Sequence, residues 1–279
     1  MKQIPKILHL YWDLSPMSFL QALTAVSFRK YNPEWSINCY VPKQGYNGRT
    51  KYIPDYVGED YFHLAKNVSG FNLIEVDLND YNIDLQHHNI LRSDIFRYYK
   101  LYELGGVWSD FDIIWLKSME YFAETEYYGG VAPEDISAVV SFINGVSSGH
   151  SIGVLMHSKG DPYIGSVIEL TKQVKPPFGH EVFGGNMLNK AYPSLDDIQL
   201  KFPNTVGARF ETYYPYNIHP PNQTIQRLYQ GVDLSPLDNS NVICLHWYNG
   251  HVLSKQYVNN NGIKRSCSMT SLLKREGYI

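Results

Sequence analysis

Three consecutive segments near the start constrain this 279-residue chain most. "KILHLYW" (6–12) is a short run that is apolar except for Lys6 and His9 and reads as a buried strand. "SFLQALTAVSFRKY" (18–31) repeats its apolar residues at helical spacing through Phe19, Leu23, Val26 and Tyr31. "NPEW" stops that helix, and "SINCYV" reads as a second strand. A strand, a helical crossover and a strand predict a parallel pair. Residues 43–70 read as loop with one short helix, and "FNLIEVD" (71–77) as a third strand. A helix is expected over about 88–104, stopped by Gly105-Gly106. The next strand is expected to carry two aspartates, Asp110 and Asp112. Further on, "SAVVSFI" and "NVICLHWY" read as strands, and "DPYIGSVIELTKQV" as a helix with Asp161 at its N-cap and Pro162 in its first turn. Alternation of this kind predicts an α/β fold with a mostly parallel central sheet flanked by helices. Its ligand belongs beyond the carboxyl ends of the strands.

Composition excludes several classes. A net charge of −3 offers no basic field for nucleic acid. No run of 18 apolar residues is present to span a membrane, and the first residues lack the pattern of a secretory leader. Cys39, Cys244 and Cys267 follow neither a disulfide framework nor a metal-knuckle spacing, so a reducing, cytoplasmic setting is expected. The sequons at Asn67 and Asn222 read as chance in an asparagine-rich chain. The 23 tyrosines suit the binding of sugars and bases, and fit a plain compositional bias equally well.

The aspartates are the chemical puzzle. In an extended strand, residues two apart point to one side, so Asp110 and Asp112 would share a face with Trp108 and Ile114. Two like charges so placed need solvent or a cation, and carboxylates suit Mg²⁺ or Mn²⁺. The plain alternative is a solvated strand end. The preceding helix sharpens the reading. Leu91, Ile95, Tyr98 and Tyr102 form one apolar stripe, and Ile90, Asp94, Arg97, Leu101 and Leu104 its neighbour. Asp94 and Arg97 therefore sit on the apolar side, as a structural ion pair or as a grip on a polar substrate.

The segment "LRSDIFRYYKLYELGGVWSDFDIIWLKSME" resembles the DXD sugar-binding region of glycosyltransferases. That family includes initiating mannosyltransferases, capsular-polysaccharide sugar transferases and, more distantly, large glucosylating toxins. The matching parts are Ser93-Asp94-Ile95-Phe96-Arg97-Tyr98, Tyr102-Glu103-Leu104-Gly105-Gly106 and Asp110-Phe111-Asp112, with "IPKILHLYW" and "YNPEW" as further points of likeness. The likeness is good over about 4–120, loose to about 235, and returns at "CLHWYNG".

The resemblance implies a single GT-A type domain over 1–279, with a donor-binding half to about 120 and an acceptor half and C-terminal closing segment after it. It implies a metal-dependent hexosyltransferase that moves sugar from a UDP- or GDP-linked donor to a glycan, polysaccharide or glycoprotein, with retention of configuration. By position, Trp12 would stack on the nucleobase, and Asp94 and Arg97 would hold sugar hydroxyls, with Arg97 near the diphosphate. Asp110 would meet the ribose and metal-bound water, and Asp112 the Mn²⁺ or Mg²⁺ itself. His246 would add an imidazole to the metal, or else be a core histidine beside Trp247, leaving Asn249 or Ser254 in that role. "FGHEVFGGNMLNKAYP" (178–193), with His180, Glu181 and Asn186, is the acceptor candidate. Two other classes remain open: a silent nucleotide-sugar or carbohydrate-binding protein, and a metal-dependent phosphatase. The phosphatase fits less well, because the Asp-x-Asp comes late and is followed by Ile113-Ile114-Trp115.

Overall fold

The structure is a computed structural model that describes residues 4–45, 56–122, 127–143, 149–179, 181–219 and 223–279. The expected opening is present as β1 (Ile7–Tyr11), α1 (Phe19–Tyr31) and β2 (Ser36–Pro42), with β1 and β2 parallel. Ser18 starts α1 with a capping box: its hydroxyl accepts from the Gln21 N–H, and the Gln21 side chain accepts from the Ser18 N–H. The short α2 (Phe62–Lys66) precedes β3 (Phe71–Val76), which pairs parallel with β2. Then α3 (Asn89–Leu104) crosses back, and β4 (Gly106–Ser109) lies parallel to β1 on its other side. The sheet thus reverses its direction of growth between β1 and β4, which is where open α/β sheets leave a crevice.

The Gly105-Gly106 stop is sterically required. Both residues have positive φ, and a Cβ on Gly106 would lie 2.5 Å from the Ile7 carbonyl oxygen. The predicted strand with both aspartates is instead broken. The chain leaves the large sheet after Ser109, turns through Asp110-Phe111-Asp112, and enters a second, two-stranded sheet as β5 (Ile113–Trp115). The aspartates do not share a strand face. Trp108 does meet Asp110, while Ile114 is buried in the core that also holds Leu8 and Val107.

After α4 (Met119–Phe122) come β6 (Ala138–Phe142) and β7 (His150–His157). Next are α5 (Pro162–Thr171), α6 (Gly185–Ala191), α7 (Leu195–Gln199) and β8 (Thr205–Ala208). α8 (Ile225–Gln230), β9 (Cys244–His246), α9 (Val252–Asn259) and α10 (Ser268–Arg275) complete the chain. The seven-stranded order is β3-β2-β1-β4-β7-β6-β8; β7 runs antiparallel to β4 and β6, and the other neighbours are parallel. The eight-residue β7 sits in the middle of the sheet, although two histidines and Gly153 hide its pattern. Asp161 caps α5 as expected, accepting from the Ile164 N–H. β5 pairs with β9, so the turn holding the aspartates is tied to the C-terminal third.

Two apolar layers sandwich the large sheet. Leu8, Leu10, Ile37 and Val107 face one that includes α1 and α10; Tyr11, Tyr40, Trp108 and Leu155 face one built on α3 and α5. No helix among the described residues is long and apolar enough to cross a membrane. The outer ends of the two predicted α3 stripes are not core, since Tyr102 and Leu104 are exposed.

His9 and His150 are buried and neutral. The Nε2–H of each bonds to a backbone carbonyl, that of Gly105 and of Tyr192, and burial lowers each pKa to about 4. The unfolded chain takes up these protons near pH 6.5 and the folded chain only near 4, so this stability is lost as pH falls through that interval. Urea unfolding should therefore show that wild-type protein loses more stability between pH 7 and pH 5 than His9→Gln does, other titrations cancelling in the comparison. An equal loss in both proteins would refute the assignment.

Candidate active site

A cavity of about 320 Å³ opens at the carboxyl ends of β1 and β4. Trp12, Asp94, Arg97, Asp110 and Asp112 all line it, so the structure gathers five of the six predicted site residues around one space. They arrive from three places: the end of β1, the helix α3 and the turn after β4. Trp12 follows the last residue of β1, and its indole N–H donates to the Ser15 carbonyl. The ring meets Phe111 edge-on at 5.0 Å, which fixes it as a wall.

Asp94 and Arg97 come from the buried face of α3. The Arg97 Nη2 lies 2.6 Å from Asp94 Oδ1, and their side chains are 3% (Arg97) and 6% (Asp94) exposed. The other guanidinium nitrogen donates to the Ile152 carbonyl on β7 at 2.5 Å and reaches Asp110 Oδ1 at 3.1 Å. The guanidinium also lies over the Trp108 ring, 5.0 Å from its centroid. Burial pushes the Asp94 carboxyl up to about 7; Arg97 opposes this, while Asp110 and Glu181 add to it. Asp94 is thus poised near neutrality in the absence of substrate.

The two acids of the turn are driven apart. Burial raises the Asp110 carboxyl, Arg97 pulls it down, and the neighbouring Asp112 charge pushes it up again. Burial would raise Asp112 as well, yet His246 and the Asn249 N–H hold it below the usual carboxylate range. That N–H donates to Asp112 Oδ2 at 3.0 Å, and Trp108 Nε1 donates to Asp110 Oδ1 at 2.9 Å. Asp110 keeps 33% of its side chain exposed. The charge of Asp112 raises the proton affinity of Asp110, and a hard divalent cation beside the two carboxylates would relieve that repulsion. Among the described residues no group of three His, Cys, Asp or Glu side chains is gathered to hold an ion.

His246 stands apart from the other five. It ends β9 beside Asp112, with Nε2 3.3 Å from Asp112 Oδ1, and is not part of the cavity wall. Its ring packs against Tyr248 at 4.2 Å and Tyr214 at 5.4 Å. Of the fallback residues, Asn249 lines the cavity, whereas Ser254 is buried and donates to the Trp247 carbonyl. In the acceptor candidate, His180 lies outside the described residues. Glu181 acts electrostatically on Asp94, and Asn186 lies in the first turn of α6, its N–H bonded to the Glu181 carbonyl. None of the described residues of 178–193 lines this cavity.

The sequence reading missed the contribution of α9. Lys255, Val258 and Asn259 line the same cavity as the aspartates, and the Lys255 ammonium has no hydrogen-bond or ion-pair partner among the described residues. The i,i+4 spacing of Lys255 and Asn259 was the available signal. Asp13 and Asn89, bonded to each other, also line the space.

Residues 23–128 match the family described as the glycosyltransferase sugar-binding region containing the DXD motif; the match is to that region as a whole and to no branch of it. The apo form of the glycosyltransferase GlyE of Streptococcus pneumoniae TIGR4 superposes with a TM-score of 0.51 at 15% identity, covering 99% of this chain and 63% of that one. This chain therefore spans less than two thirds of GlyE's length. PaToxG glycosyltransferase gives 0.46 at 18% identity, over 71% of this chain and 72% of its own. The galactosyltransferase LgtC, in complex with donor and acceptor sugar analogues, gives 0.41 at 15%, over 87% of each chain. A comparison with curated proteins gives no match. The fold is that of GT-A glycosyltransferases, and the matched sugar-binding region on that fold marks the chain as a transferase enzyme.

The Asp94–Arg97 pair makes a physical prediction that needs no substrate. Arg97→Met leaves Asp94 buried without its partner, a change that costs ~3–5 kcal/mol when the orphaned charge is retained. Asp94 escapes the cost by taking up a proton, so the loss should be large at pH 8 and clearly smaller at pH 5. Urea midpoints at the two pH values measure this. A pH-independent loss would mean that Asp94 is not the strained group.

Proposed function

We propose that this chain moves a sugar from a nucleotide-diphosphate sugar to a glycan acceptor, with a divalent ion at the Asp110-Phe111-Asp112 turn. The observation that carries this reading is the convergence of Trp12, the Asp94–Arg97 pair and the two aspartates on one cavity at the sheet's switch point. The same convergence favours a glycosyltransferase over a phosphatase. A phosphatase needs no aromatic wall and no buried acid–guanidinium floor beside its two acids.

The parts divide the donor between them. Trp12 and Phe111 offer an aromatic surface for the base, and Asp110 lies where the ribose and a metal-bound water would meet. Asp94 accepts from a sugar hydroxyl once that hydroxyl replaces water around it, and Arg97 holds Asp94 in place. Asp110 and Asp112 would hold Mn²⁺ or Mg²⁺, which supplies Lewis-acid stabilisation of the departing diphosphate. His246 braces Asp112 and is the imidazole nearest the ion. Lys255, an unpaired cation facing four lining carboxylates, adds positive charge where the leaving group carries its negative charge. Each lining carboxylate (Asp13, Asp94, Asp110 and Asp112) already has a hydrogen-bond or ionic partner. Same-face attack with retention is the course that the family resemblance supports. We assign 1–279 to one domain, with α9 as the closing segment; a capsular or other glycan acceptor on the side of residues 121–279 fits the resemblance.

The test is a panel of UDP- and GDP-sugars scored for binding and for release of free sugar, with and without Mn²⁺. Metal-stimulated release from at least one donor is expected. Asp112→Asn, which keeps an acceptor for the Asn249 N–H, should reduce that release by about a hundredfold or more without unfolding the protein. Binding without release would convert the reading to a silent sugar-nucleotide-binding protein, and wild-type release by Asp112→Asn would remove the metal from the turn.

His246 is tested separately by Mn²⁺ titration of His246→Ala. Direct ligation should raise the Mn²⁺ concentration for half-maximal release by about tenfold. An unchanged midpoint would assign His246 to bracing Asp112 alone.

A further inference from the structure

A second cavity, of about 460 Å³, lies across α3 from the first. Asp94 and Arg97 line the donor cavity, while Ile95 and Tyr99, on other faces of the same helix, line this one. The two are therefore about one helix diameter, ~10 Å, apart. Its walls are aromatic: Tyr81, Tyr99, Phe178 and Phe183. His87 is only 8% exposed and also lines it, with ring centroids 4.5 Å from Phe178 and 5.3 Å from Phe183. The imidazole has no side-chain hydrogen bond among the described residues, while two neighbouring groups are paired. Tyr98 donates to the Phe183 carbonyl, and the Asp84 carboxylate accepts from the Gln86 N–H.

A polar group that lines an open space without a protein partner is available to hydrogen-bond what enters that space. Burial lowers the His87 pKa, so its ring is a neutral donor–acceptor at physiological pH. Aromatic rings interleaved with His87, Asn82, Asp84, Thr171 and Lys172 suit a ligand with apolar faces and hydroxyl edges. A pyranose ring has this character. The location agrees. Phe178 and Phe183 belong to the segment that also carries Glu181, whose charge acts on Asp94 in the donor cavity.

The geometry points to a saccharide subsite formed by His87, Tyr99, Phe178 and Phe183, which holds a sugar unit of the acceptor glycan away from the reacting end. This rests on the glycosyltransferase reading for its role, but binding itself does not require it. The probe is a panel of unbranched oligosaccharides built from glucose, galactose, mannose or N-acetylglucosamine. Each is titrated into ¹⁵N-labelled full-length protein while the imidazole signals of His87, assigned with His87→Gln, are followed. At least one oligosaccharide should move these signals saturably in the millimolar range. Tyr99→Ala, at a half-buried position, should weaken that binding about tenfold. It should raise the KM for the same oligosaccharide as acceptor while leaving release of sugar from the donor to water unchanged. No shift with any member of the panel, or binding unaffected by Tyr99→Ala and His87→Gln, overturns the subsite. Donor release without binding here leaves the enzyme reading standing alone. Binding here without donor release keeps the subsite and removes the enzyme.

Discussion

One guanidinium holds this site together. Arg97 leaves α3 and is bound at once to Asp94 on its own helix, to a carbonyl of β7, and to Asp110 beyond the end of β4. Three separately folded pieces of backbone are therefore fixed to a single planar group. A lysine could not do this, because its ammonium lacks the fork that reaches two carboxylates and a carbonyl together. The arrangement also explains why an acid tolerates near-complete burial. Arg97 offsets part of the desolvation of Asp94, and what is left over raises its proton affinity. A sugar hydroxyl is the kind of group that exploits a carboxylate so placed, since it donates a hydrogen bond without bringing a second charge.

The sequence disclosed those parts of the fold whose pattern is local. The β1–α1–β2 unit announces itself by apolar runs and by the Ser18–Gln21 capping box, and α3 by its stripes and its glycine stop. Long-range pairing was not visible. "VWSDFDIIW" is equally compatible with one strand or with two, and only the pairing of Ile113–Trp115 with Cys244–His246 decides the matter. β7 was hidden because its histidines look like solvent residues, while the fold gives each a buried partner, His150 on the Tyr192 carbonyl and His157 Nδ1 on Asp161. Tertiary partners of this kind have no signature in a single sequence.

The candidate site divides along the same line. Asp94, Arg97, Asp110 and Asp112 were legible because acids and a guanidinium on apolar faces demand an explanation. Trp12 was legible through its place at a strand end. Lys255 and Asn259 were not, since a lysine and an asparagine on a C-terminal amphipathic helix are ordinary until the helix is seen to close a cavity. His87 was overlooked for the opposite reason: it is a polar residue just before an expected helix, and the aromatic shell that buries it comes largely from residues 178 and 183.

The β5–β9 pairing carries a consequence for how the protein comes to life. It joins residues some 130 positions apart in the chain, and the same join delivers the Asn249 N–H to Asp112. Contacts of such separation form after local ones, because the intervening loop must first be closed. During synthesis the large sheet's first four strands and α3 can assemble while Asp112 still lacks its partners from the far end. The aspartate turn is then among the last features to mature, because β9 and the Asn249 N–H that complete it lie towards the far end of the chain. Competence for transfer is in this way coupled to completion of the polypeptide.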